Sequence, residues 1–356
     1  MIRSLLFRLE AEQAHAVAML GARVLAACAV PLLRRLLPVR HPALEQRRLG
    51  LLFPGPVGLA AGLDKDARAW PLWEALGFGF CEIGSVSARP CAGNPRPRLF
   101  RLPADQALVN RLGLPSDGAM AVAARLQGPR RVPLGINVAK THDPALCGLA
   151  AIEDFCHSYR CLAPRADYVT LNVSCPNTPD GRTFEEPAAL EALLSGLAPA
   201  RREAPVPLLL KLSPPAGPPD LGHLAELLAV ARAFDVAGLV IANTTPARDG
   251  LRTPAEQVRR LGPGGLSGPP LAARAEALLR AAYRLSDGRL TLIGVGGIDS
   301  AEAAYRRLRA GASLLQLYTA LVYHGPGLVR SIHRGLLALV RRDGLDHVAQ
   351  AVGLDA

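Results

Sequence analysis

The chain has 356 residues, half of them apolar, and a formal net charge of +11 at pH 7. This length accommodates one large α/β domain with an appendage or two ordinary domains, and the composition excludes a disordered chain. The basic residues are scattered and almost all are arginine. Because the sequence contains no RNA-binding, zinc-knuckle or helix-turn-helix motif, we predict no nucleic-acid partner.

The seven cysteines form no CxxC pair and no Cys/His array with the spacing of metal ligands. We therefore predict no metal site. Their odd number and irregular spacing indicate a reducing compartment.

Residues 1–40 have the pattern of two short helices with an apolar stripe, flanked by arginines such as Arg8 and Arg23. The pattern fits a helical hairpin packed on the main domain, and it fits equally a basic amphipathic surface on an anionic membrane. Charged residues interrupt the apolar run, and its longest uncharged part contains Pro31. We therefore predict neither a cleaved signal peptide nor a transmembrane helix.

Eight apolar runs rich in β-branched residues alternate with helical patterns through the rest of the chain. They cover residues 57–62, 80–87, 133–139, 168–174, 206–213, 237–245, 290–298 and 313–320. This rhythm predicts an α/β fold, a (β/α)8 TIM barrel at residues 46–356 with a small N-terminal helical extension at residues 1–45. A doubly wound open sheet is the alternative, but the chain lacks an early GxGxxG loop.

Rare polar residues gather at the predicted carboxyl ends of these strands, where barrel active sites lie. The chain has three lysines and six asparagines. All the lysines and five of the asparagines fall on this predicted rim: Lys65, Lys140, Lys211, Asn110, Asn137, Asn172, Asn177 and Asn243. Since arginine replaces lysine almost everywhere else, the remaining lysines mark positions that need a compact ammonium. The set predicts a polar ligand site.

One glycine-rich segment, "GVGGID", lies at the end of the seventh predicted strand, and another, "GPGGLSGPP", follows the sixth. In a barrel, glycines after strand seven and the turn after strand eight commonly bind phosphate, so we expect a phosphorylated cofactor. A flavin mononucleotide (FMN) suits the site, because a fixed ammonium such as Lys211 would stabilise the anionic reduced ring. A Schiff-base lysine is the alternative use of such a residue.

Several motifs in chain order resemble those of dihydroorotate dehydrogenase: "GLAAGLDKD", "EIGSVSARP", "GNPRPRLFRL", "NRLG", "NVSCPNTP", "ANTT", "GGLSG", "IGVGGIDS" and "LLQLYTAL". The N-terminal "FRLEAEQAH" is similar to the quinone-dependent class 2 branch. The resemblance implies FMN-dependent oxidation of (S)-dihydroorotate to orotate, with electrons passed to a membrane quinone, in de novo pyrimidine (UMP) biosynthesis. It also implies peripheral association with the cytoplasmic side of the cell inner membrane through the N-terminal helices.

The same resemblance assigns residues to roles. The FMN site would comprise Ala61, Gly62, Lys65, Ser85, Asn137, Asn172, Lys211, Ala242, Gly268, Gly297, Tyr318 and Thr319. The substrate site would comprise Lys65, Asn110, Arg111, Leu112, Gly113, Leu114, Asn172, Asn177, Asn243 and Thr244. Asparagine amides can pair with both the donors and the acceptors of a small planar imide.

Cys175 occupies the position of the catalytic base, where class 2 members are expected to carry serine and the soluble class 1 enzymes carry cysteine. A thiol ionises at about pH 8.5, far more readily than an alcohol. A buried structural cysteine is the alternative. Leu114, Ala242 and Pro269 also depart from the family pattern. Two further functions stay open: a cytosolic class 1-like enzyme that uses fumarate or NAD, and a flavin-binding protein with impaired turnover.

Overall fold

The computed structural model describes residues 2–174 and 183–356. Its strands are β1 (Gln46–Arg48), β2 (Leu51–Phe53), β3 (Val57–Leu59), β4 (Phe80–Val86), β5 (Leu99–Leu102), β6 (Ala107–Asn110), β7 (Leu134–Val138), β8 (Tyr168–Asn172), β9 (Leu208–Leu212), β10 (Gly238–Ile241), β11 (Gly265–Ser267), β12 (Thr291–Val295) and β13 (Leu314–Leu317). Its helices are α1 (Ile2–Leu6), α2 (Ala11–Cys28), α3 (Val30–Leu36), α4 (Trp70–Ala75), α5 (Ala119–Arg125), α6 (Gly148–Leu162), α7 (Pro187–Glu203), α8 (Leu221–Ala233), α9 (Ala255–Leu261), α10 (Ala272–Leu285), α11 (Ala301–Arg309), α12 (Thr319–His324) and α13 (Leu328–Arg342).

Eight parallel strands close into a barrel in the order β3-β4-β7-β8-β9-β10-β12-β13, and β13 pairs with β3. Each coincides with one of the eight predicted runs, so the predicted (β/α)8 barrel is confirmed and the open doubly wound sheet is wrong. The strands are buried on both faces, which explains why their sequences are continuous apolar runs. Helices α6, α7, α8, α10, α11 and α13 bury their apolar faces around the barrel.

Aromatic side chains fill the amino-terminal half of the barrel interior. Phe80 and Tyr168 are fully buried there, and Phe53 from the β1–β2 hairpin packs edge-on against Phe80 with ring centroids 5.3 Å apart. Gly58 and Gly135 make room for the rings, because an added Cβ would lie within 2.4 Å of Phe80 and 2.1 Å of Tyr168. This end of the barrel is therefore closed, and the open end is at the strand carboxyl termini.

Three helices, rather than the two short ones predicted, form the N-terminal extension. Helix α2 has 18 residues and meets α3 at 91°. Small residues on α2, Ala14 and Ala22, face the barrel, while Leu20 and Val24 are exposed. Within the described residues no single helix is long and apolar enough to span a membrane, although α2 and α3 together pass that test by length and composition.

A three-stranded antiparallel sheet, which the sequence pattern did not predict, stands beside the open end of the barrel. Its order is β11-β6-β5. It pairs the loop after β4 with the loop after β10, so that Asn110 lies opposite Gly265. This sheet forms one wall of the functional site.

Candidate active site

A cavity opens at the carboxyl ends of the barrel strands. Most sequence-predicted residues line it: Ala61, Gly62, Lys65, Ser85, Asn110, Leu112, Gly113, Leu114, Asn172, Lys211, Ala242, Asn243, Thr244, Gly268, Gly297, Tyr318 and Thr319. Segments that lie far apart in the sequence thus meet where barrel active sites are found.

A chain of hydrogen-bonded side chains forms the floor. The Asn137 amide donates to Glu82 Oε1 over 3.0 Å and accepts from the Ser85 hydroxyl over 2.5 Å. The Asn172 amide in turn donates to Ser85 Oγ over 3.0 Å. Asn137 is fully buried behind Ser85 and does not line the cavity, so it supports the floor from below.

The same chain continues to the end of β10. Asn243 Nδ2 donates to Asn172 Oδ1 over 3.1 Å, and the Thr244 backbone N–H donates to Asn243 Oδ1 over 2.9 Å. A backbone N–H can only donate, so Asn243 Oδ1 is the acceptor for Thr244, and the direction of each following hydrogen bond along the floor is fixed in turn. The orientation of each amide along the floor is therefore determined.

Glu82 anchors this chain at the centre of the barrel. Its side chain is fully buried and also accepts from Tyr168 Oη at 3.2 Å, Thr170 Oγ1 at 3.1 Å and Gln316 Nε2 at 2.9 Å. Burial and the Glu82 carboxylate raise the pKa of Tyr168 well above its ordinary value, so the phenol stays a donor. Four donors thus satisfy one buried carboxylate.

The predicted base, Cys175, and the predicted substrate ligand Asn177 lie outside the described residues. The residue before them, Ser174, is held from three sides. Its hydroxyl donates to the Lys211 carbonyl over 2.6 Å, and its carbonyl accepts from Ser213 Oγ over 2.8 Å and from Asn243 Nδ2 over 3.1 Å. The chain therefore leaves the barrel from a fixed point beside Asn172 and Asn243.

Two of the three lysines reach the cavity. Lys211 lies on β9 opposite Asn172 and is almost fully buried. Lys65 follows β3 and also borders a second cavity between α2 and the barrel. Lys140 does not line the site, because its ammonium donates to the Leu146 carbonyl over 2.7 Å. Lys140 thus follows the carboxyl end of β7, as predicted, but does not contribute to the cavity.

Arg111 also turns away from the cavity. Its guanidinium lies 4.6 Å from the ring centre of Phe100 and donates to the Pro263 carbonyl over 3.1 Å. The predicted role of its side chain in substrate binding therefore has no support in this geometry. The neighbouring Leu112, Gly113 and Leu114 do line the cavity.

Glycines and a helix start form the far wall. Gly297 has φ +69°, and an added Cβ would lie 2.5 Å from Ala272 Cβ at the start of α10. Thr319, the first residue of α12, donates from its hydroxyl to Ser267 Oγ over 2.8 Å. Backbone N–H groups at glycine loops and helix starts are suited to bind phosphate.

Other lining residues were missed in the sequence, among them Gln316, Ser267 and Asp299. Gln316 is a polar residue in an otherwise apolar strand, and this pattern could have marked it in the sequence as a site residue. Gln316 Oε1 and Thr244 Oγ1 are buried and, in the part of the chain that the structure describes, have no hydrogen-bond partner. Such unpaired atoms in a cavity indicate a site that a polar ligand completes.

Burial raises the pKa of Tyr318 to about 12, so its phenol is neutral at physiological pH. Across residues 2–174 and 183–356, no group of three or more His, Cys, Asp or Glu side chains is placed to bind a metal ion. The cavity offers amides, two ammonium groups and backbone N–H groups, which suit a planar heterocycle that carries a phosphate.

Comparison with known proteins identifies the family. A family profile described as dihydroorotate dehydrogenase matches residues 43–340. The chain belongs to the dihydroorotate dehydrogenase family. It is 46% identical to the dihydroorotate dehydrogenase (quinone) of Thermobifida fusca, over 99% of this chain and 95% of that protein. It is 45% identical to the enzyme of the same name from Mycobacterium tuberculosis, over 99% of this chain and 97% of that protein.

A solved structure gives the same result. DHODH from Eimeria tenella, crystallised with ferulenol, superposes with a TM-score of 0.86 at 31% identity, covering 97% of this chain and 95% of that one. The predicted dihydroorotate dehydrogenase resemblance is thus confirmed. The names of the curated relatives support the quinone-dependent class over the class that uses fumarate or NAD.

Proposed function

We propose that this chain is a quinone-dependent dihydroorotate dehydrogenase that uses FMN and acts in pyrimidine biosynthesis. The observation that carries the proposal is the convergence of Lys211, Asn172, Asn243 and the glycine loop after β12 in one cavity. The names of relatives that match nearly the whole chain support the same activity.

The cavity fits a flavin by the chemistry of its walls. Lys211 would balance negative charge on the ring, and Gln316 Oε1, which has no partner among the described residues, offers an acceptor to a ring N–H. Gly297 and Thr319 would hold the phosphate. Ala61, Gly62, Ser85, Ala242, Gly268 and Tyr318 would complete the cofactor contacts. When bound, FMN supplies the acceptor for the hydride that leaves C6 of dihydroorotate.

The substrate would bind against the amides of the floor. The second hydrogen of Asn172 Nδ2 and the second lone pair of Asn243 Oδ1 remain available to a ring amide, since the floor network uses the others. Asn110, Thr244 and Asn177 would add further contacts, and Lys65 would pair with the carboxylate. These residues orient the substrate and exclude water.

Cys175 would remove the C5 proton as the hydride leaves C6. The three hydrogen bonds on Ser174 would fix where the base enters the site. A thiol ionises at about pH 8.5, so a base of this kind needs modest assistance at neutral pH. Removal of the C5 proton by the Cys175 thiolate, together with departure of the C6 hydride, would convert dihydroorotate to orotate.

The quinone would approach along an apolar wall. Leu99 and Leu108 line the cavity and belong to a buried cluster against which Phe7 and Ala11 of the N-terminal segment pack. Exposed leucines on α2 and α3 lie beyond it. We propose that residues 1–45 form a membrane-associating unit, distinct from the barrel at residues 46–356, and that the protein binds peripherally on the cytoplasmic side of the inner membrane.

The deciding experiment is anaerobic reduction. The purified full chain should be yellow, and L-dihydroorotate should bleach it without oxygen. A quinone should then restore the flavin absorbance faster than fumarate or NAD does. A protein that takes up no FMN, or that binds FMN without bleaching, would contradict the proposal, and preferred reoxidation by fumarate or NAD would indicate the class 1-like enzyme.

The base is tested separately with two variants of Cys175. We expect Cys175→Ala to retain FMN and to lose flavin reduction, because proton abstraction is removed. We expect Cys175→Ser to shift the pH optimum of reduction upward, since a hydroxyl is harder to ionise than a thiol. Stopped-flow absorbance across pH measures both. Normal reduction in Cys175→Ala would exclude the base role.

A further inference from the structure

Arg307 on α11 is among the largest fully buried side chains of the described chain, with 2% of its surface exposed. The methylene part of its side chain passes beside β12 at residue 294, where glycine has no Cβ to obstruct it. A Cβ added at Gly294 would lie 2.8 Å from Arg307 Cγ. The sequence thus makes room for a long cation inside the wall of the barrel.

The guanidinium lies behind the glycine loop of the candidate active site. Its Nη2 donates to the Gly296 carbonyl over 3.1 Å and to the Ala272 carbonyl over 3.0 Å. Gly296 lines the cavity, and Ala272 begins α10, against which Gly297 packs. One side chain therefore ties the loop to the start of a helix.

The charge of this guanidinium is not balanced nearby. In the part of the chain that the structure describes, no carboxylate forms an ion pair with Arg307, and its Nε and Nη1 have no hydrogen-bond partner. Glu276 acts on it from a longer range and already pairs with Arg280 at 2.9 Å and Arg306 at 3.4 Å. Burial lowers the pKa of Arg307 to about 10, which still leaves it charged at neutral pH.

A buried cation is costly unless an anion compensates it. The loop that Arg307 supports faces the part of the cavity suited to a phosphate. We propose that Arg307 is a positioning residue for the cofactor phosphate, holding the Gly296 loop against α10 and supplying positive charge from behind it. The inference rests on the proposed FMN site and goes beyond it, since Arg307 does not line the cavity.

The test compares FMN with riboflavin, which has the same ring and no phosphate. The full chain is stripped of flavin, and dissociation constants for both ligands are measured by quenching of flavin fluorescence. We expect wild type to prefer FMN, and Arg307→Gln to lose at least about tenfold of that preference, equal to about 1.4 kcal/mol. Riboflavin affinity should stay within about twofold, because the charge acts on the phosphate.

Three further variants sharpen the result. Arg307→Lys keeps the charge and should retain most of the preference. Arg306→Gln removes a charge from the same helix at an exposed position and should leave the preference unchanged. Arg307→Met replaces a buried cation that has no ion pair by an apolar side chain, a change that proteins often tolerate. If Arg307→Gln does not fold, Arg307→Met tests in its place what loss of the charge does to the FMN preference.

The outcomes separate the two proposals. Equal weakening of FMN and riboflavin in both neutral variants would mean that Arg307 has only a structural role, and an unchanged ratio would also overturn the inference. If wild type binds neither flavin, the proposed FMN site itself fails. Added salt should reduce the FMN preference of wild type more than that of Arg307→Gln.

Discussion

Ser85 connects two parts of the cavity floor through a single hydroxyl. It donates to Asn137 and accepts from Asn172, so the orientation of both amides depends on it. Its neighbour Ser87 is also buried, but its hydroxyl donates to the Arg89 carbonyl over 2.8 Å. Ser85 on β4 and Ser87 just after it are therefore two buried serines with different hydrogen-bond partners.

We expect Ser85→Ala to weaken FMN binding about tenfold, because two buried amides lose a partner next to the ligand. Ser87→Ala is the matched control and should change FMN affinity by less than about twofold, since it removes a bond outside the cavity. Fluorescence titration of the flavin-free proteins measures both. Equal losses in the two variants would contradict a specific role for Ser85.

His333 on α13 gives a second prediction at this scale. It is 1% exposed, neither ring nitrogen has a partner among the described residues, and burial lowers its pKa to about 4. The unfolded chain binds a proton near pH 6.5, so stability is full above that pH and falls progressively toward pH 4. The free energy of unfolding should therefore be about 2 kcal/mol lower at pH 5 than at pH 7.

Replacing His333 by leucine should remove that loss, and urea unfolding at pH 7 and pH 5 measures it. An apolar side chain leaves no unpaired nitrogen, so the variant should be at least as stable as wild type at pH 5. The exposed His324 provides the control, and His324→Gln should keep the wild-type pH dependence. If the stability of His333→Leu falls between pH 7 and pH 5 as much as that of wild type, His333 is not the cause of the pH dependence.

Individual residues also mark the limit of sequence reasoning. The scarcity of lysine pointed to Lys65 and Lys211, which line the cavity, but also to Lys140, whose ammonium donates to a local carbonyl. Glu82 and Arg307 were not predicted as functional residues, because a single charged residue in a strand or helix produces no periodic pattern. Their roles depend on partners such as Gln316 and Ala272, which are distant in the sequence.

At the scale of elements, the barrel strands were predictable because each is a continuous apolar run buried on both faces. The β5–β6–β11 sheet was not. Its strands have three or four residues, and β11 pairs with β6 across a separation that no local pattern reveals. The number of N-terminal helices was also missed, since the break at Ala29 has no glycine and Pro31 falls inside the third helix.

The N-terminal helices are attached to this sheet by Arg101 on β5. Its Nη1 donates to the Leu6 carbonyl over 3.1 Å, its Nη2 donates to the Leu9 carbonyl, and its guanidinium lies 4.8 Å from the Phe7 ring centre. These carbonyls lie at the end of α1 and just after it. Arg101 therefore fixes the segment that closes the apolar wall of the cavity.

We expect Arg101→Met to loosen that segment and to lower quinone turnover severalfold, while anaerobic reduction by dihydroorotate stays at the wild-type rate. Limited proteolysis should show faster cleavage near residue 10, and steady-state and stopped-flow assays separate the two half-reactions. The exposed Arg23 on α2 serves as the control in Arg23→Met. If Arg101→Met slows reduction by dihydroorotate and quinone turnover equally, Arg101 does not act on the quinone step alone.

At the scale of the whole molecule, the net positive charge and the exposed apolar side chains would both contribute to binding an anionic surface. The chain carries +11, and α2 exposes Leu20 at 59% and Val24 at 57%. Basic residues near an anionic surface contribute about 1 kcal/mol each, and inserted apolar side chains add to that. This combination favours a peripheral contact with anionic lipid.

We expect the protein to co-sediment with vesicles that contain phosphatidylglycerol, and less with phosphatidylcholine alone. The double variant Leu20→Ser and Val24→Ser should bind markedly less. Leu149→Ser with Leu354→Ser is the control, because these leucines are 79% and 53% exposed away from the N-terminal helices. Equal losses in the two pairs would place the membrane contact elsewhere.

The pairing of β3 with β13 has a consequence for biosynthesis. Val57 meets Leu315, so the ring of strands stays open until residue 315 has left the ribosome. Contacts between such distant segments form slowly, because a long loop must first be closed. The barrel therefore cannot enclose a ligand before β13 has been synthesised, and we expect the proposed coenzyme to bind only after that point.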